Sequence, residues 1–362
     1  MQTVRISRLS KTEQEPFRRE PLIEGNAFLR LITARVQAEI GNQPLESIIT
    51  RQWPNDRVLD MLMRASSAPA MTSVTGWAAE LTRKLVYDSL DALTPMSAGA
   101  PLLRAGTVLA FDHYGSISVP GFVAAAANAG FIAEGAAIPV RQLSSAAATL
   151  LNYKLASIAA LTEEMIASSN AETLIGDALM RSAGLALDQA LFDSNAATSA
   201  RPAGLRNGIA ASTASTATDL FEAFMEDVTT LFNAVGSVGG QGPYVLIGSP
   251  GRAMSLRTRM NAFKDNLDLS LLGLVFGSPS VGNDLIAVAA SALVSAFDPN
   301  PEIEAANAAT LVMDDTSPAT PDTTQPTKSM FQTATVAVKM RWPICWALRN
   351  SAGVAWLTPT WK

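Results

Sequence analysis

Residues 130–141 read Gly-Phe-Ile-Ala-Glu-Gly-Ala-Ala-Ile-Pro-Val-Arg, and no other stretch of the chain narrows the choice of fold so much. Strand-like runs flank it. Thr107 to Phe111 and Ser116 to Val119 precede it, and 149–159 follow, where Leu151, Tyr153, Leu155 and Ser157 alternate onto one face. The segment between them is expected to be the outer part of a long hairpin excursion. It carries Phe131, Ile132, Ile138 and Val140, with only Glu134 and Arg141 charged. It has almost nothing with which to build a core of its own. A two-stranded apolar arm is stable only when it lies on something else, usually another chain. A fold with such an arm is finished by association.

Composition points the same way. Charged residues are 16% of the 362, against a typical ~25%. A chain so short of charge is expected to cover part of its surface with copies of itself. The length allows two domains or one elaborate one. The net charge of −5 argues against a basic nucleic-acid-binding domain. One cysteine, Cys345, and one histidine, His113, exclude a disulfide framework and a His/Cys zinc site within one chain. The first twenty residues carry Arg5, Arg8, Lys11, Arg18 and Arg19 and no apolar run, so they do not read as a signal peptide. The uncharged stretch 113–133 is broken by Pro120, Gly121, Asn128 and Gly130, and the apolar run 285–297 is too short to span a bilayer. The expectation is a soluble protein made in the cytoplasm.

Helical periodicity marks several other segments. Phe28, Leu31, Ile32, Val36 and Ile40 predict a helix that stops at Gly41. Leu45, Ile48 and Ile49 start a second after Pro44, interrupted at Trp53-Pro54 and continued by Val58, Leu59, Leu62 and Met63. Residues 78–93 fit a short helix and 95–101 a loop. Ser169 and Glu172 form a capping box before the clearest helix, 169–193, with a stripe through Leu174, Ile175, Ala178, Leu179, Ala186, Leu187, Ala190 and Leu191. A loop is expected over 194–218. Phe221, Phe224, Val228, Leu231, Phe232 and Val235 predict a helix punctuated by the glycines of 236–242. Tyr244 to Ile247 and Leu285 to Val288 read as strands, with Pro250 placed to start a helix. Residues 314–328 read as a loop, and the tryptophan-rich 331–361 as strands.

The chemistry of an enzyme is missing from these patterns. There is no Walker-type or dinucleotide-binding glycine fingerprint, and the glycines at 236–242 read as a turn rather than a phosphate cradle. His113, between Asp112 and Tyr114, reads as a turn residue rather than a base, because no nucleophile elbow accompanies it. Cys345 lies in an apolar strand without a cationic neighbour, the setting of an inert thiol. The pairs Glu163-Glu164, Glu226-Asp227 and Asp314-Asp315 read as solvated faces, with a divalent-metal site at Asp314-Asp315 as the weaker alternative. No catalytic, cofactor-binding or metal-ligating residue is expected, and no cofactor.

The order of these parts resembles the major capsid proteins of tailed bacteriophages, the HK97-fold family. Three places carry the likeness. The stretch 131–139 is similar to the family's extended-hairpin signature. Lys154-Leu155-Ala156 through Leu161-Thr162-Glu163-Glu164-Met165-Ile166, the long helix, and Arg201-Pro202-Ala203-Gly204-Leu205 resemble its strand, spine helix and following turn. Met330-Phe331-Gln332, Ala337 to Arg341 and Ala355-Trp356-Leu357 resemble its closing strands. Together they cover roughly 107–362.

The resemblance implies an α+β fold in four parts. These are an N-terminal extension and arm (1–101), an extended loop (102–152), a peripheral domain (153–218 and 316–362) built on the spine helix, and an axial domain (219–315). It implies a structural protein, not an enzyme, that assembles as pentamers and hexamers into the icosahedral shell around a double-stranded DNA genome. Its location would be the virion capsid, after synthesis in the host cytoplasm. Partners would be other copies, packaged DNA by non-specific proximity, a portal, and decoration or scaffold proteins, with no membrane. Phe131, Ile132, Glu134, Ile138 and Arg141 are the expected subunit contacts. In relatives the N-terminal extension can act as a built-in scaffold that a protease removes; here the chain opens with it at Met1, and it is expected to be kept. The alternative within the same fold is an encapsulin-like compartment around a cargo enzyme. Some relatives crosslink a lysine of the loop to an asparagine of the closing strands. Here no lysine lies between Lys84 and Lys154, and the matching closing stretch is Gln332-Thr333-Ala334. Crosslinking is therefore not expected.

Overall fold

The computed structural model describes residues 27–41, 43–54, 56, 59, 90–91, 93–111, 115–121, 148–167, 171–239, 243–262, 274–298, 302–312 and 326–361. The outer arm 122–147, His113, Asp314-Asp315 and the capping residue Ser169 lie outside them, as does most of 1–89.

The fold is α+β, and one two-stranded ribbon organises it. The apolar run 285–297 divides into two strands, β7 (Leu285–Ala289) and β8 (Leu293–Phe297), separated by a 3-10 turn at Ala290–Ala292. The C-terminal segment divides in the same way, into β12 (Thr335–Leu348) and β13 (Val354–Leu357), with a 3-10 turn at Ser351–Gly353. β7 pairs antiparallel with β13, from Leu285↔Leu357 to Val288↔Val354. β8 pairs antiparallel with β12, from Leu293↔Leu348 to Phe297↔Ile344. The two turns lie side by side. Arg349 N–H donates to the Ala292 carbonyl at 2.8 Å, and a Cβ on Gly353 would collide with that of Ala292.

Each half of the ribbon belongs to a different sheet. The first sheet runs β1 (Thr107–Ala110), β8, β12, β4 (Tyr153–Thr162), with β9 (Glu302–Ala306) also paired to β12. The second runs β13, β7, β5 (Tyr244–Gly248), β6 (Leu274–Gly277). The ladders therefore cross the boundaries expected from sequence. β8 and β9, from 219–315, sit in the sheet of β4, while β13 joins β5 and β7.

Burial explains the strand sequences. β7 and β8 are buried at every position, which is why they read as continuous apolar runs rather than alternating ones. One face of the second sheet, with Val245, Ile247, Ile286, Val288 and Val354, joins the main core. The other, with Leu246, Leu285, Ala287, Ala289 and Leu357, packs under the helix Leu220–Gly239. β4 alternates as its sequence predicts. Tyr153, Leu155, Ser157, Ala159 and Leu161 turn inward, and Lys154, Ala156, Ile158, Ala160 and Thr162 outward. Leu151 leaves that pattern. It ends a separate strand, β3 (Ala148–Leu151), and is exposed, while Leu150 is buried in its place. The break at Asn152 shifts the alternation by one residue.

The helices follow their expected stripes. α1 (Ala27–Gly41) buries Leu31, Ile32 and Val36. α2 (Leu45–Gln52) buries Ile48 and Ile49 against it. α3 (Gly99–Ala105) begins inside the stretch expected to be loop, with Pro101 in its first turn, where a missing N–H costs nothing. α4 (Glu163–Ala167) is short and presents Glu163 and Glu164 to solvent. α5 (Ala171–Leu191), the expected spine helix, packs on β4 and α1 and buries Leu179, Met180, Ala183, Leu187 and Leu191. α6 (Leu220–Gly239) continues through Gly236, three residues past the expected stop, because glycine costs a helix least near its end. α7 (Pro250–Ala262) starts at Pro250. Among the described residues no helix is long and apolar enough to cross a membrane.

Candidate assembly surface

The five residues expected to contact another copy, Phe131, Ile132, Glu134, Ile138 and Arg141, lie outside the described residues. What is described is the root of their excursion. β2 (Ser116–Val119) pairs antiparallel with β3, from Ser116↔Leu151 to Val119↔Ala148. Residues 120–147 thus leave and re-enter through one closed ladder. Beneath it Phe111 and Leu150 pack with Val294, Ala296 and Cys345 of the first sheet. Arg349 adds a bond from Nε to the Pro120 carbonyl at 3.1 Å. The excursion is clamped at its root by side chains of β8 and β12 and by Phe111 and Arg349 just beyond strand ends.

Three surface features accompany this root. The outward face of the first sheet carries two cross-strand ion pairs, Arg341–Glu302 and Lys339–Glu304, beside an apolar strip on β4 where Ile158 is 54% exposed. A tight turn presents Phe331. An open cleft of about 530 Å³ lies beside α5, lined by Met96, Arg181, Leu185, Asp188, Arg257 and Phe276 among others.

The Phe331 turn joins β11 (Thr327–Ser329) to β12. Met330 is fully buried and anchors it. The Met330 N–H donates to the Ala309 carbonyl at 2.9 Å, and its own carbonyl accepts from Thr335 N–H at 3.1 Å. Thr333 Oγ1 lies 2.8 Å from Thr335 Oγ1 and donates to the Ser329 carbonyl at 3.1 Å. Ala334 takes a left-handed conformation, φ 45° and ψ 46°, which a residue with a Cβ adopts at a cost of roughly 1–2 kcal/mol. Between these ties Phe331 is 79% exposed.

At the foot of the cleft is a carboxylate that the sequence reading passed over. Asp188 of α5 is 2% exposed. It accepts bonds from the Ala98 N–H (3.0 Å), the Gly99 N–H (2.9 Å), Ser278 Oγ (2.6 Å) and Ser97 Oγ. One side chain therefore ties the spine helix to the start of α3 and to the loop after β6. The available signal was a charged residue on the apolar stripe, one position from Leu187 and three before Leu191. The pair Glu226-Asp227 also departs from its expected solvated face. Asp227 is 1% exposed and accepts from Trp361 Nε1 (2.8 Å) and the Ser215 N–H (2.6 Å). Adjacent helical residues point apart, so one of such a pair can face inward.

No group of three His, Cys, Asp or Glu stands ready for a metal among the described residues. Cys345 is buried, and burial pushes its thiol up to about 11. It is protonated and inert at neutral pH.

No family model matches the chain. In sequence it is similar to a capsid polyprotein of Pseudomonas phage PAJU2, 26% identical over 330 residues that cover 82% of this chain and 47% of that one. The chain thus spans about half the length of the curated relative it matches. In structure it is similar to a satellite phage P4 procapsid that includes the size determination (Sid) protein, at 10% identity and TM-score 0.47, covering 85% of this chain and 98% of the other. It is also similar to the virus-like particle from Pyrococcus furiosus (14% identity, TM-score 0.46, 76% and 98% covered) and to Microbacterium phage Oxtober96 (17%, 0.46, 73% and 91%).

Proposed function

We propose that the chain is the shell-forming subunit of a tailed-phage capsid, with copies of itself as its main partner. The observation that carries this reading is the sequence likeness to a phage capsid polyprotein across 82% of the chain. The clamped root of an apolar excursion, the low charge and the inert Cys345 support it, since each suits a chain that assembles rather than one that reacts. Its finer form follows the sequence resemblance. Pentamers and hexamers close an icosahedral shell around double-stranded DNA, the subunit has the four parts with β8, β9 and β13 exchanged across their boundaries, and the virion is the site of action. Phe131, Ile132 and Ile138 lie across a neighbouring copy, with Glu134 and Arg141 at the edge of that contact. Many weak contacts then make a strong shell through multivalency.

Electron microscopy of the purified full chain tests the proposal, together with nucleic-acid absorbance of particles from the native host. Closed particles filled with DNA are expected. Particles that co-purify with one enzyme would mean a cargo compartment instead. A protein that stays monomeric by light scattering at high concentration would overturn both readings.

A further inference from the structure

The exposed turn and the open cleft are matched in chemistry and separated in space. Phe331 stands 79% exposed on a turn whose backbone is fixed on both sides. Its anchors are the buried Met330 and the Thr333–Thr335 contact. Backbone held in a sparsely populated conformation, here at Ala334, is a feature of sites where structure serves a contact. The turn abuts α4, where the Glu163 N–H donates to the Ala334 carbonyl at 3.1 Å. The turn that carries Phe331 is therefore joined to the start of α4, where Glu163 and Glu164 are both exposed.

The cleft has the opposite character. Met96, Leu185 and Phe276 give it an apolar wall, Leu185 being 42% exposed. Arg181 and Arg257 also line it, Arg257 with an Nη donating to the Val275 carbonyl at 2.6 Å, and the Asp188 carboxylate at its foot is taken up by its four donors. About 530 Å³ leaves room for an aromatic ring. An aromatic knob beside two acids and an apolar slot beside two arginines are complementary in shape and sign.

One subunit cannot join them. The turn sits by the residues that lead into α5, whereas the cleft lies along its C-terminal half. At 1.5 Å per residue, Ala171 and Leu185 are about 21 Å apart along the helix. A knob and a slot on different parts of one surface make a head-to-tail contact, the kind that builds rings.

We propose that Phe331 of one copy inserts into the cleft beside Leu185 of the next, with Glu163 and Glu164 facing Arg181 and Arg257. The inference rests on the shell reading above and adds a second contact, separate from the arm.

The test uses the full chain with Phe331→Cys and Leu185→Cys. The native Cys345 is buried, so the background is low. Particles assembled from a mixture of the two single variants, then oxidised, are expected to give covalent dimers on a non-reducing gel. Either variant alone is expected to stay at the monomer position. No dimer in the mixture would overturn the proposal, as would dimers from Phe331→Cys alone, which would mean a symmetric contact. Phe331→Ser decides the matter if the cysteine variants do not assemble. It is expected to keep the wild-type thermal unfolding and to raise the concentration needed for assembly at least tenfold; assembly at the wild-type concentration would overturn the inference. If the unaltered chain fails to assemble, the shell reading falls and this one with it. If the unaltered chain assembles but no crosslink forms, only this one falls.

Discussion

Asp188 and Cys345 are two buried side chains with opposite demands. The Asp188 carboxylate is surrounded by donors: two backbone N–H groups and two serine hydroxyls. Removing it leaves those donors without their acceptor in a dry site, and each unsatisfied buried group costs about 1–3 kcal/mol. Asp188→Ala is expected to lose about 3 kcal/mol or more of stability, and Asp188→Asn roughly half as much, as read by urea unfolding. Equal, small losses for both would show that the bonds matter little. Cys345 has only weak backbone contacts, such as its Sγ donating to the Trp346 carbonyl at 3.7 Å, and burial outweighs them to hold its thiol near 11, against an ordinary value of 9.0. The folded state thus binds this proton more tightly. The stabilisation is complete below about pH 9 and is lost as pH rises toward 11. Iodoacetamide at pH 8 is expected to leave the native protein unmodified and to label it once unfolded, which mass spectrometry reads directly.

At the scale of elements, a close approach of backbone matters more than a visible ion pair. The chain leaving α5 doubles back over its end, where Gly204 N–H donates to the Asn195 carbonyl and Leu205 N–H to the Leu191 carbonyl. A Cβ on Gly204 would collide with the Asp193 backbone. Gly204→Ala is expected to destabilise by about 1–3 kcal/mol, as overpacking does. The pairs Arg341–Glu302 and Lys339–Glu304 lie in solvent, with each glutamate more than half exposed. Glu302→Ala is expected to cost less than about 1 kcal/mol. Thermal unfolding of the two variants side by side checks the ranking. These elements also show what a sequence tells and hides. Periodicity located α1, α2, α5 and the alternation of β4, and proline's fit to a first helical position located the start of α7, because each reflects contacts along one element. It could not show that 285–297 holds two strands of two sheets. Both halves are buried on both faces, so the pattern has no period to break. Nor could it find the cleft, which depends on residues as far apart in sequence as Met96, Leu185 and Phe276, or the Phe331 turn, which is tied to Ala309 and Glu163.

For the whole molecule, the arm and the shell are the test of the sequence reading. Replacing Phe131 and Ile138 together by serine is expected to leave subunit unfolding close to wild type and to abolish or weaken particles seen by electron microscopy. Unfolding of the subunit itself would mean that these residues belong to an internal core. Without a lysine in the arm or an asparagine near Phe331, particles boiled in detergent are expected to run as a single band at the 38.1 kDa of the chain. A ladder that survives reductant would reveal a covalent link. The ribbon that runs through both sheets has a mechanical consequence. Its strands cross from one sheet to the other at the same point, through the adjoining turns at Ala290–Ala292 and Ser351–Gly353. Two stitches side by side resist torque as one cannot, because twisting either sheet strains both crossings at once. Force applied to one sheet is handed to the other with little give. In a shell of the proposed kind, a change of curvature would then fall at the root of the excursion and between copies rather than between the two sheets of one subunit.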